Sequence, residues 1–468
     1  MFTSGTYKSR RDNLIKQIDN GILFFPGNNE TPMNYPANTF HFRQDSSFLY
    51  YFGLDQSNLA GIIDVDNNES IVFGDDRDID DVVWMGFETP LKERAEQAGV
   101  SKTESFSKLK SYLQSALANG RKIHFLPQYK HDIIISFQDW LGIDPSFVNK
   151  YSSIELTKAV IAQRSVKSDE EVDEIEKALE VSYLMNTKAM KMARPGMIER
   201  EVYGAVEGIA LSKGNGVSFP IIFSVHGETL HNHNHNNLMK DGDLLVLDSG
   251  AESLLHYASD ITRSFPVSGK FTEKQKEIYN VVLKSQLEAI DMIKPGVKYK
   301  DVHLHSAKVI AEGLKELGLM KGNVDDAVKN GAHALFFPHG LGHMLGLDVH
   351  DLEGLGEAFV GYDEKTKRSD QFGLAYLRLA RELEPGFVLT VEPGIYFIPQ
   401  LIDIWMKENK HSDFINYNKV NEYRDFGGIR IEDDILVTSD SNKVLGKPIP
   451  KTVEEVESTC NSLLKKWV

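Results

Sequence analysis

Short apolar runs alternate with helix-like segments along the first 150 residues. The stretch between Pro90 and Gly120 spaces its leucines and alanines as an amphipathic helix does. Four runs have the length and apolar content of β-strands; they cover residues 21–27, 59–65, 70–75 and 122–128. Strands that alternate with helices predict an α/β domain. We find no cluster of chemically reactive side chains in this part of the sequence.

The pattern changes around residues 151–172, where we place a domain boundary. Ser168 and Glu171 fit a capping box, which predicts that a long helix begins there. Helices are then expected at about 198–213, 272–293 and 301–318, and strands at 221–226, 243–249, 257–266, 387–398 and 428–438. A pair of helices followed by strands thus occurs twice, as in a duplicated domain. We divide the chain into domains 1–160 and 161–468.

The length of the chain indicates the number of domains, and its net charge excludes some classes of binding partner. A chain of 468 residues favours two domains, because single cores stop growing beyond about 250–300 residues. The net charge of −16 argues against a nucleic acid or an anionic membrane as partner. The N-terminus has no apolar signal-peptide core, no stretch is long and apolar enough to span a membrane, and Cys460 is the only cysteine. We therefore expect a cytoplasmic protein without an intrachain disulfide.

Two aspartates flank a predicted hairpin. Asp248 ends one apolar run and Asp260 begins the next strand, so a hairpin would bring their carboxylates side by side. Aspartates at strand ends also cap turns. This segment alone therefore fits a metal site and an ordinary turn equally well.

Three histidines lie within twelve residues of a glycine-rich apolar segment: His339, His343 and His350. The first two are four residues apart, as in helical zinc motifs. Gly340 stands where those motifs carry a catalytic glutamate, and the glycines disfavour a helix, so the segment is not a motif of that type. A single histidine in an apolar run is more often a core residue, but three so close together favour a functional role.

Two glutamates lie within or beside apolar strands. Glu392 is part of LTVEPGIY (389–396), where burial without a partner would be very costly. Glu432 follows Arg430 in an alternating pattern, so the two side chains are expected to share a face. A salt bridge between Arg430 and Glu432 is the structural alternative for this pair, and it is compatible with metal binding by Glu432.

Four carboxylates and one imidazole make up the candidate ligand set, which is Asp248, Asp260, His343, Glu392 and Glu432. Four buried carboxylates without cations would repel one another strongly, and two divalent ions bridged by carboxylates would remove that repulsion. Oxygen-rich ligation with one nitrogen favours manganese, while zinc, cobalt or iron could also bind. Two metals roughly 3.5–4 Å apart can activate a shared water.

At this point the sequence resembles a known family, the proline-specific pita-bread metallopeptidases, which include Xaa-Pro aminopeptidase (aminopeptidase P) and Xaa-Pro dipeptidase (prolidase). The matching segments are FRQDSSFLYYFG (42–53), VVWMG (82–86), ASDITRSFPVSGKFT (258–272), PHGLGHMLGLDVHD (338–351), LTVEPGIY (389–396) and GGIRIEDD (427–434). The resemblance implies an α/β N-terminal domain and an α+β pita-bread (creatinase/aminopeptidase-like) catalytic domain. It also implies a homodimer or homotetramer that acts on proline-containing dipeptides or short peptides.

The resemblance also implies a role for each site residue. Asp248 and Asp260 would bind one metal; Asp260, His343, Glu392 and Glu432 would bind the other, with Asp260 and Glu432 bridging. Glu392 would shuttle a proton, His350 and His231 would hydrogen-bond substrate, His339 would line the site, and Arg430 would orient Asp248. His231 begins the run HNHNHNN (231–237), in which His233 and His235 are expected to form a polar loop near the entrance.

Details of the last third favour prolidase over aminopeptidase. Residues 372–386 and the insertion 397–424 are similar to prolidases, and Arg378 matches an arginine that binds the free C-terminal carboxylate of the substrate. The structural alternative is a surface arginine on a helix. Two rival functions on the same fold are a metal-free peptide- or protein-binding module and a creatinase-like amidinohydrolase. Both are disfavoured because all five ligands are present.

Overall fold

The computed structural model describes residues 1–462, which form two compact units. The first unit comprises Met1–Arg164 and Leu352–Phe359; the second comprises Ser165–Asp351 and the described residues from Val360 onward. Within residues 1–462, none of the helices is both long enough and apolar enough to cross a membrane.

The first unit contains a mixed sheet and surrounding helices. Its helices are α1 (Ser4–Ile15), α2 (Ser46–Phe52), α3 (Ile79–Met85), α4 (Leu91–Gln97), α5 (Leu109–Ala118), α6 (His131–Leu141) and α7 (Ile154–Ser165), the last of which ends in the second unit. Its strands are β1 (Ile22–Pro26), β2 (Pro32–Tyr35), β3 (Asn38–Thr39), β4 (Ala60–Asp64), β5 (Glu69–Phe73), β6 (Lys102–Glu104) and β7 (Ile123–Phe125).

Five of these strands form one sheet in the order β6-β5-β4-β1-β7. The central pairs are antiparallel, while β6 and β7 add to the two edges in parallel. Apolar side chains of α6 pack on it; Trp140 meets Phe24 of β1 edge to face, with ring centroids 5.5 Å apart. The α/β prediction and its four strands are therefore confirmed.

The stretch between Pro90 and Gly120 is not one helix, which corrects the prediction. The chain leaves α4 through Gly99, whose φ of +69° is a left-handed conformation that favours glycine. Residues Lys102–Glu104 then form β6 before α5 begins. The helical spacing indicated both helices correctly. It missed the edge strand because those three residues are polar.

The second unit combines paired helices with small antiparallel sheets. Its helices are α8 (Asp169–Met192), α9 (Glu199–Lys213), α10 (Glu273–Met292), α11 (Tyr299–Glu316), α12 (Val324–Lys329), α13 (Glu357–Val360, mostly in the first unit), α14 (Pro399–Lys407), α15 (Tyr417–Val420) and α16 (Val453–Cys460). Its strands are β8 (Ile222–Ser224), β9 (Leu244–Ser249), β10 (Ile261–Pro266), β11 (Val388–Val391), β12 (Gly394–Tyr396), β13 (Gly428–Arg430), β14 (Asp433–Val437) and β15 (Asn442–Val444). The strand orders are β10-β9-β8, β11-β14-β15 and β12-β13.

Ser168 begins α8 as predicted. Its hydroxyl accepts the backbone N–H of Glu171, and the Glu171 carboxylate accepts the N–H of Ser168 at 3.1 Å. This reciprocal pair satisfies two donors at the helix start. The apolar side chains Ile175, Leu179, Val181 and Met185 of this helix are buried.

The same turn joins each helix pair of the second unit. Pro195-Gly196 connects α8 to α9, and Pro295-Gly296 connects α10 to α11. Both glycines have a positive φ, 90° and 82°. Each donates its N–H to a distant carbonyl, that of Met239 at 2.9 Å and that of Leu383 at 2.8 Å. Both helix pairs therefore share the same turn conformation and the same type of backbone hydrogen bond, in agreement with the duplicated order of helices and strands.

Candidate metal centre

The hairpin of β9 and β10 places two aspartates on one face. Asp248 of β9 lies directly opposite Thr262 of β10. Directly opposite residues of antiparallel strands point to the same side, as do residues two positions apart along a strand. Asp260, two residues before Thr262, therefore faces the same side as Asp248. The hairpin expected from the sequence is thus formed and has the required register.

Thr262 connects this hairpin to Glu432. Its hydroxyl donates to Glu432 Oε2 at 2.6 Å, and its carbonyl accepts the N–H of Glu432 at 3.0 Å. The hydroxyl oxygen also accepts a hydrogen bond from Arg430 Nε at 3.1 Å. These contacts fix the Glu432 carboxylate beside the two aspartates.

Arg430 pairs with Asp248 and not with Glu432. Its Nη2 lies 2.6 Å from Asp248 Oδ2, and both side chains are largely buried. The expected alternative of an Arg430–Glu432 salt bridge is therefore wrong. The reason is that β13 ends at Arg430 and β14 begins at Asp433, so Glu432 is not part of a continuous alternating strand.

The histidine segment lies along β11. The N–H of Thr390 donates to the His343 carbonyl at 3.0 Å, and the N–H of Glu392 donates to the Leu341 carbonyl at 2.8 Å. Gly342 permits this close approach, because a Cβ there would lie 2.1 Å from the Thr390 carbonyl oxygen. The backbone pairing places the His343 and Glu392 side chains next to each other.

Three of the five candidate ligands meet closely. One ligand atom each from Asp260, His343 and Glu432 lies within 4.8 Å of the others, and all three residues are buried. His343 Nε2 is 3.4 Å from Asp260 Oδ2 and 3.7 Å from Glu392 Oε1. The structure therefore brings side chains from four distant motifs into one group.

Among the described residues, one oxygen each of Asp248 and Asp260 has no hydrogen-bond partner. Asp248 Oδ1 and Asp260 Oδ1 are buried and accept no hydrogen bond from the described residues. Buried polar atoms are normally paired, so an unpaired carboxylate oxygen requires an explanation. Divalent cations bind such oxygens, and the donor set of carboxylates and one imidazole fits them.

The electrostatics of the apoprotein site also favour bound cations. Burial raises the pKa values of Asp260 and Glu432 well above their ordinary values, and the charges of neighbouring carboxylates raise them further. Burial raises the pKa of Glu392 to about 8, although the charges of Arg430 and Arg378 oppose this rise. Nearby positive charge would lower all three values, as metal ions do.

His339 and His343 are held as neutral rings. Burial lowers the pKa of His339 to about 3 and that of His343 well below its ordinary value. His339 Nε2 lies 2.9 Å from the Tyr396 hydroxyl and its Nδ1 2.8 Å from the Gly340 carbonyl. His343 Nδ1 lies 3.0 Å from the Met344 carbonyl, which leaves Nε2 directed at the carboxylates. A neutral imidazole held in this way is suited to ligate a metal.

A cavity of about 810 Å³ opens onto this group. His231, His339, His350, Arg378 and Arg430 line it together with all five candidate ligands. The His350 ring is 4.2 Å from the His343 ring, centroid to centroid. Every site residue expected from the sequence therefore lies at one cavity.

Comparisons with known proteins agree with this architecture. The model of metallopeptidase family M24 matches residues 173–439, and that of the aminopeptidase P N-terminal domain matches residues 7–124. The chain belongs to metallopeptidase family M24. Its two-domain architecture, an aminopeptidase P-like N-terminal domain followed by a pita-bread catalytic domain, is therefore confirmed.

The relatives of this M24 metallopeptidase include proteins named Xaa-Pro dipeptidase and proteins named Xaa-Pro aminopeptidase. Xaa-Pro dipeptidase of Rattus norvegicus is 36% identical over 427 residues, which cover 89% of this chain and 84% of the relative. A probable Xaa-Pro aminopeptidase of Fusarium vanettenii is 33% identical, with coverage of 94% and 92%.

Solved structures of aminopeptidase P are also similar. The Escherichia coli enzyme with the inhibitor Pro-Leu has a TM-score of 0.79 and 30% identity, and the Pseudomonas aeruginosa enzyme has a TM-score of 0.80 and 28% identity. Each alignment covers 98% of both chains.

The loop histidines of this family member separate into two groups. His231 and His233 both line the cavity. His235 instead stacks on Tyr203, with ring centroids 4.3 Å apart, and its Nδ1 lies 3.0 Å from the Phe223 carbonyl. His235 therefore packs on Tyr203 within the loop and does not line the cavity.

Arg378 is not a surface arginine on a helix. The short 3-10 helix Leu374–Tyr376 ends before it, and Arg378 lines the cavity. Burial lowers the pKa of its guanidinium, while the charge of Glu392 raises it. The structural alternative considered for this residue is therefore wrong.

Sequence reasoning missed two groups of site residues. Thr262 and Tyr396 hold Glu432, Arg430 and His339 by hydrogen bonds, and both lie inside motifs already noted. The apolar part of the cavity was not anticipated because its residues come from unremarkable segments; it includes Phe219, Ile222, Leu230, Ile398, Leu401 and Ile404.

In the metal-free protein, Glu392→Gln should stabilise the fold more at pH 8 than at pH 5. Folding raises the pKa of Glu392 to about 8, so the folded state binds more protons than the unfolded state does. The free energy of unfolding contributed by this carboxyl therefore falls as pH rises from its ordinary pKa of about 4.3 towards 8. Glutamine does not titrate. Urea unfolding after chelation, at pH 5, 6.5 and 8, measures the difference between variant and wild type. A difference that does not grow with pH would contradict the account.

Proposed function

We propose that this M24 metallopeptidase is a dinuclear, manganese-dependent Xaa-Pro dipeptidase. It would hydrolyse the bond between an N-terminal residue and a following proline. The observation that carries the proposal is the set of four buried or half-buried carboxylates and one buried imidazole in the cavity that Arg378 also lines. The names of its relatives, Xaa-Pro dipeptidase and Xaa-Pro aminopeptidase, support specificity for proline.

The proposed ligands divide into two overlapping sets. Asp248, Asp260 and Glu432 would hold one ion, and Asp260, His343, Glu392 and Glu432 would hold the other, so Asp260 and Glu432 belong to both sets. The unpaired Oδ1 atoms of Asp248 and Asp260 support this division, since each aspartate has an oxygen to offer. When bound, two divalent ions polarise the scissile carbonyl and supply an activated water. Manganese suits this donor set, in which oxygens outnumber nitrogens.

The chain's own residues would orient substrate and move the proton. Glu392 is the proposed proton carrier, because its carboxyl lies beside the ligand group, with Oε1 3.7 Å from His343 Nε2, and opens onto the cavity. His231 and His350 would donate hydrogen bonds to the oxygen that becomes negative during hydrolysis. Tyr396 keeps His339 in place, and Arg430 keeps Asp248 in place.

Arg378 would distinguish dipeptides from longer peptides. A Xaa-Pro dipeptide ends at proline, so its carboxylate lies close to the reacting bond. A guanidinium at the same cavity can bind that carboxylate with two parallel hydrogen bonds. Xaa-Pro aminopeptidase activity is the second candidate, because the similar solved structures are aminopeptidases P. A binding module without catalysis is disfavoured, since the complete donor set is retained.

Further features of the proposal concern the whole chain. We propose a homodimer or homotetramer that works in the cytoplasm, with domain boundaries at 1–160 and 161–468. Light scattering of the purified protein measures the subunit number.

Hydrolysis of a Xaa-Pro dipeptide and a Xaa-Pro-Xaa tripeptide, compared with and without added manganese, tests the function. We expect manganese-dependent cleavage of both, with the higher kcat/KM for the dipeptide. A preference for the tripeptide would favour the aminopeptidase. No cleavage of either peptide, in a protein that binds manganese, would contradict the proposal.

A further inference from the structure

The segment that carries Arg378 is held in place by residues that do not line the cavity. Residues 377–380 belong to neither a helix nor a strand, so no regular backbone ladder fixes them. They lie against a loop that begins at Gly361 and includes Tyr362 and Arg368. The contacts that Gly361 and Tyr362 make with the arginine segment are buried, whereas Arg368 contacts it from the exposed surface.

Gly361 brings the two backbones unusually close. Its carbonyl accepts the N–H groups of Ala380 at 2.8 Å and of Arg381 at 3.0 Å. A Cβ at position 361 would lie 1.7 Å from the Arg378 carbonyl oxygen, so only glycine allows this approach. The backbone of Arg378 therefore has little freedom on the side of this loop.

Tyr362 and Arg368 hold the residues just before Arg378. The Tyr362 hydroxyl donates to the Leu377 carbonyl at 2.6 Å. Arg368 Nη1 donates to the Ala375 carbonyl at 2.9 Å, and its guanidinium lies 4.6 Å from the centre of the Tyr362 ring. The Leu377 side chain is buried on the same segment. Both side chains thus donate hydrogen bonds to backbone carbonyls within three residues before Arg378.

We propose that Tyr362 and Arg368 are positioning residues for Arg378 and thereby set the preference for dipeptides. The inference rests on the proposed role of Arg378 as the carboxylate-binding residue. Recognition of a carboxylate by a planar guanidinium depends on placement within roughly 0.5 Å. In a segment without regular structure, hydrogen bonds to its carbonyls supply that precision. Loosening them should therefore weaken dipeptide binding before it affects hydrolysis itself.

Tyr362→Phe is the most conservative test, because it removes one hydroxyl and keeps the ring beneath Arg368. We expect kcat/KM for a Xaa-Pro dipeptide to fall about 3- to 10-fold, which is the usual effect of losing one hydrogen bond, and we expect most of this fall to come from a higher KM. The kcat/KM for a Xaa-Pro-Xaa tripeptide should stay within about twofold of the wild-type value. Arg368→Ala should shift the ratio of the two values in the same direction. Tyr279→Phe is the matched control: its hydroxyl also donates to a backbone carbonyl, that of Lys451 at 2.8 Å. It should leave the ratio unchanged.

A double variant separates positioning from a general effect on stability. If Tyr362 acts through Arg378, Tyr362→Phe should change the dipeptide-to-tripeptide ratio in the wild-type background and not in the Arg378→Ala background. Equal changes in both backgrounds, or an unchanged ratio in the wild-type background, would overturn the positioning role while the proposed function stands. If Arg378→Ala itself leaves the ratio unchanged, the role of Arg378 fails and this inference fails with it.

Discussion

Replacing Glu392 with glutamine is expected to lower kcat by about 10²- to 10⁴-fold, the usual contribution of a positioned acid–base group, while the protein stays folded. The change keeps the shape of the side chain and the backbone N–H bond to the Leu341 carbonyl. It removes a carboxyl that lies 3.7 Å from His343 Nε2 and is the proposed proton carrier. Steady-state kinetics on a Xaa-Pro dipeptide with saturating manganese provide the measurement.

Metal content must be measured on the same samples, because Glu392 is also a proposed ligand. Loss of one ion with loss of rate would support ligation, and loss of rate with both ions retained would support proton transfer. Glu316→Gln, on the exposed side of the end of α11, is the control and should behave as wild type. Near-normal turnover by the Glu392 variant would show that its carboxyl has neither role.

Arg378→Ala is expected to weaken cleavage of Xaa-Pro dipeptides by about 2–5 kcal/mol in kcat/KM, the range for truncating one partner of a buried charge pair. The dipeptide carboxylate lies next to the reacting bond and loses its cation. In a Xaa-Pro-Xaa tripeptide the carboxylate is one residue further away, so the loss of kcat/KM for the tripeptide should be much smaller. Parallel kinetics on the two peptides measure the difference.

The ratio of the two losses is more informative than either loss alone. The charge of Arg378 also lowers the pKa of Glu392, so its removal can slow hydrolysis of any substrate. That effect is common to both peptides and cancels in the ratio. Arg378→Lys, which keeps the charge without the planar fork, should fall between wild type and alanine. Equal losses for dipeptide and tripeptide would identify Arg378 as a structural residue.

Local signals explain why much of the fold could be predicted from the sequence. The capping box at Ser168 depends on residues three positions apart, and it was found where predicted. The hairpin between Asp248 and Asp260 likewise involves neighbouring segments. Strand β6 escaped prediction because Lys102–Glu104 carry no apolar pattern, and only the adjacent β5 makes them a strand.

Long-range pairing explains what could not be predicted at the site. Local spacing offered Glu432, two residues away, as the partner of Arg430; only the family resemblance pointed to Asp248, which lies 182 positions earlier in the chain and does pair with it. Thr262 and Glu432 are 170 positions apart, and the sequence of neither segment predicts their hydrogen bond. His235 belongs to a polar tract, but the ring of Tyr203 on α9 gives it a packing role. Such partners follow from the register of elements that meet only in the folded chain.

The central claim is that two metal ions lie among the five ligands, and anomalous diffraction from a crystal grown with manganese tests it most directly. The account predicts two manganese peaks per chain, one beside Asp248 and Asp260 and one beside His343, Glu392 and Glu432. A single peak would contradict the dinuclear site. Manganese peaks that lie only at other residues would contradict the assignment of the ligands.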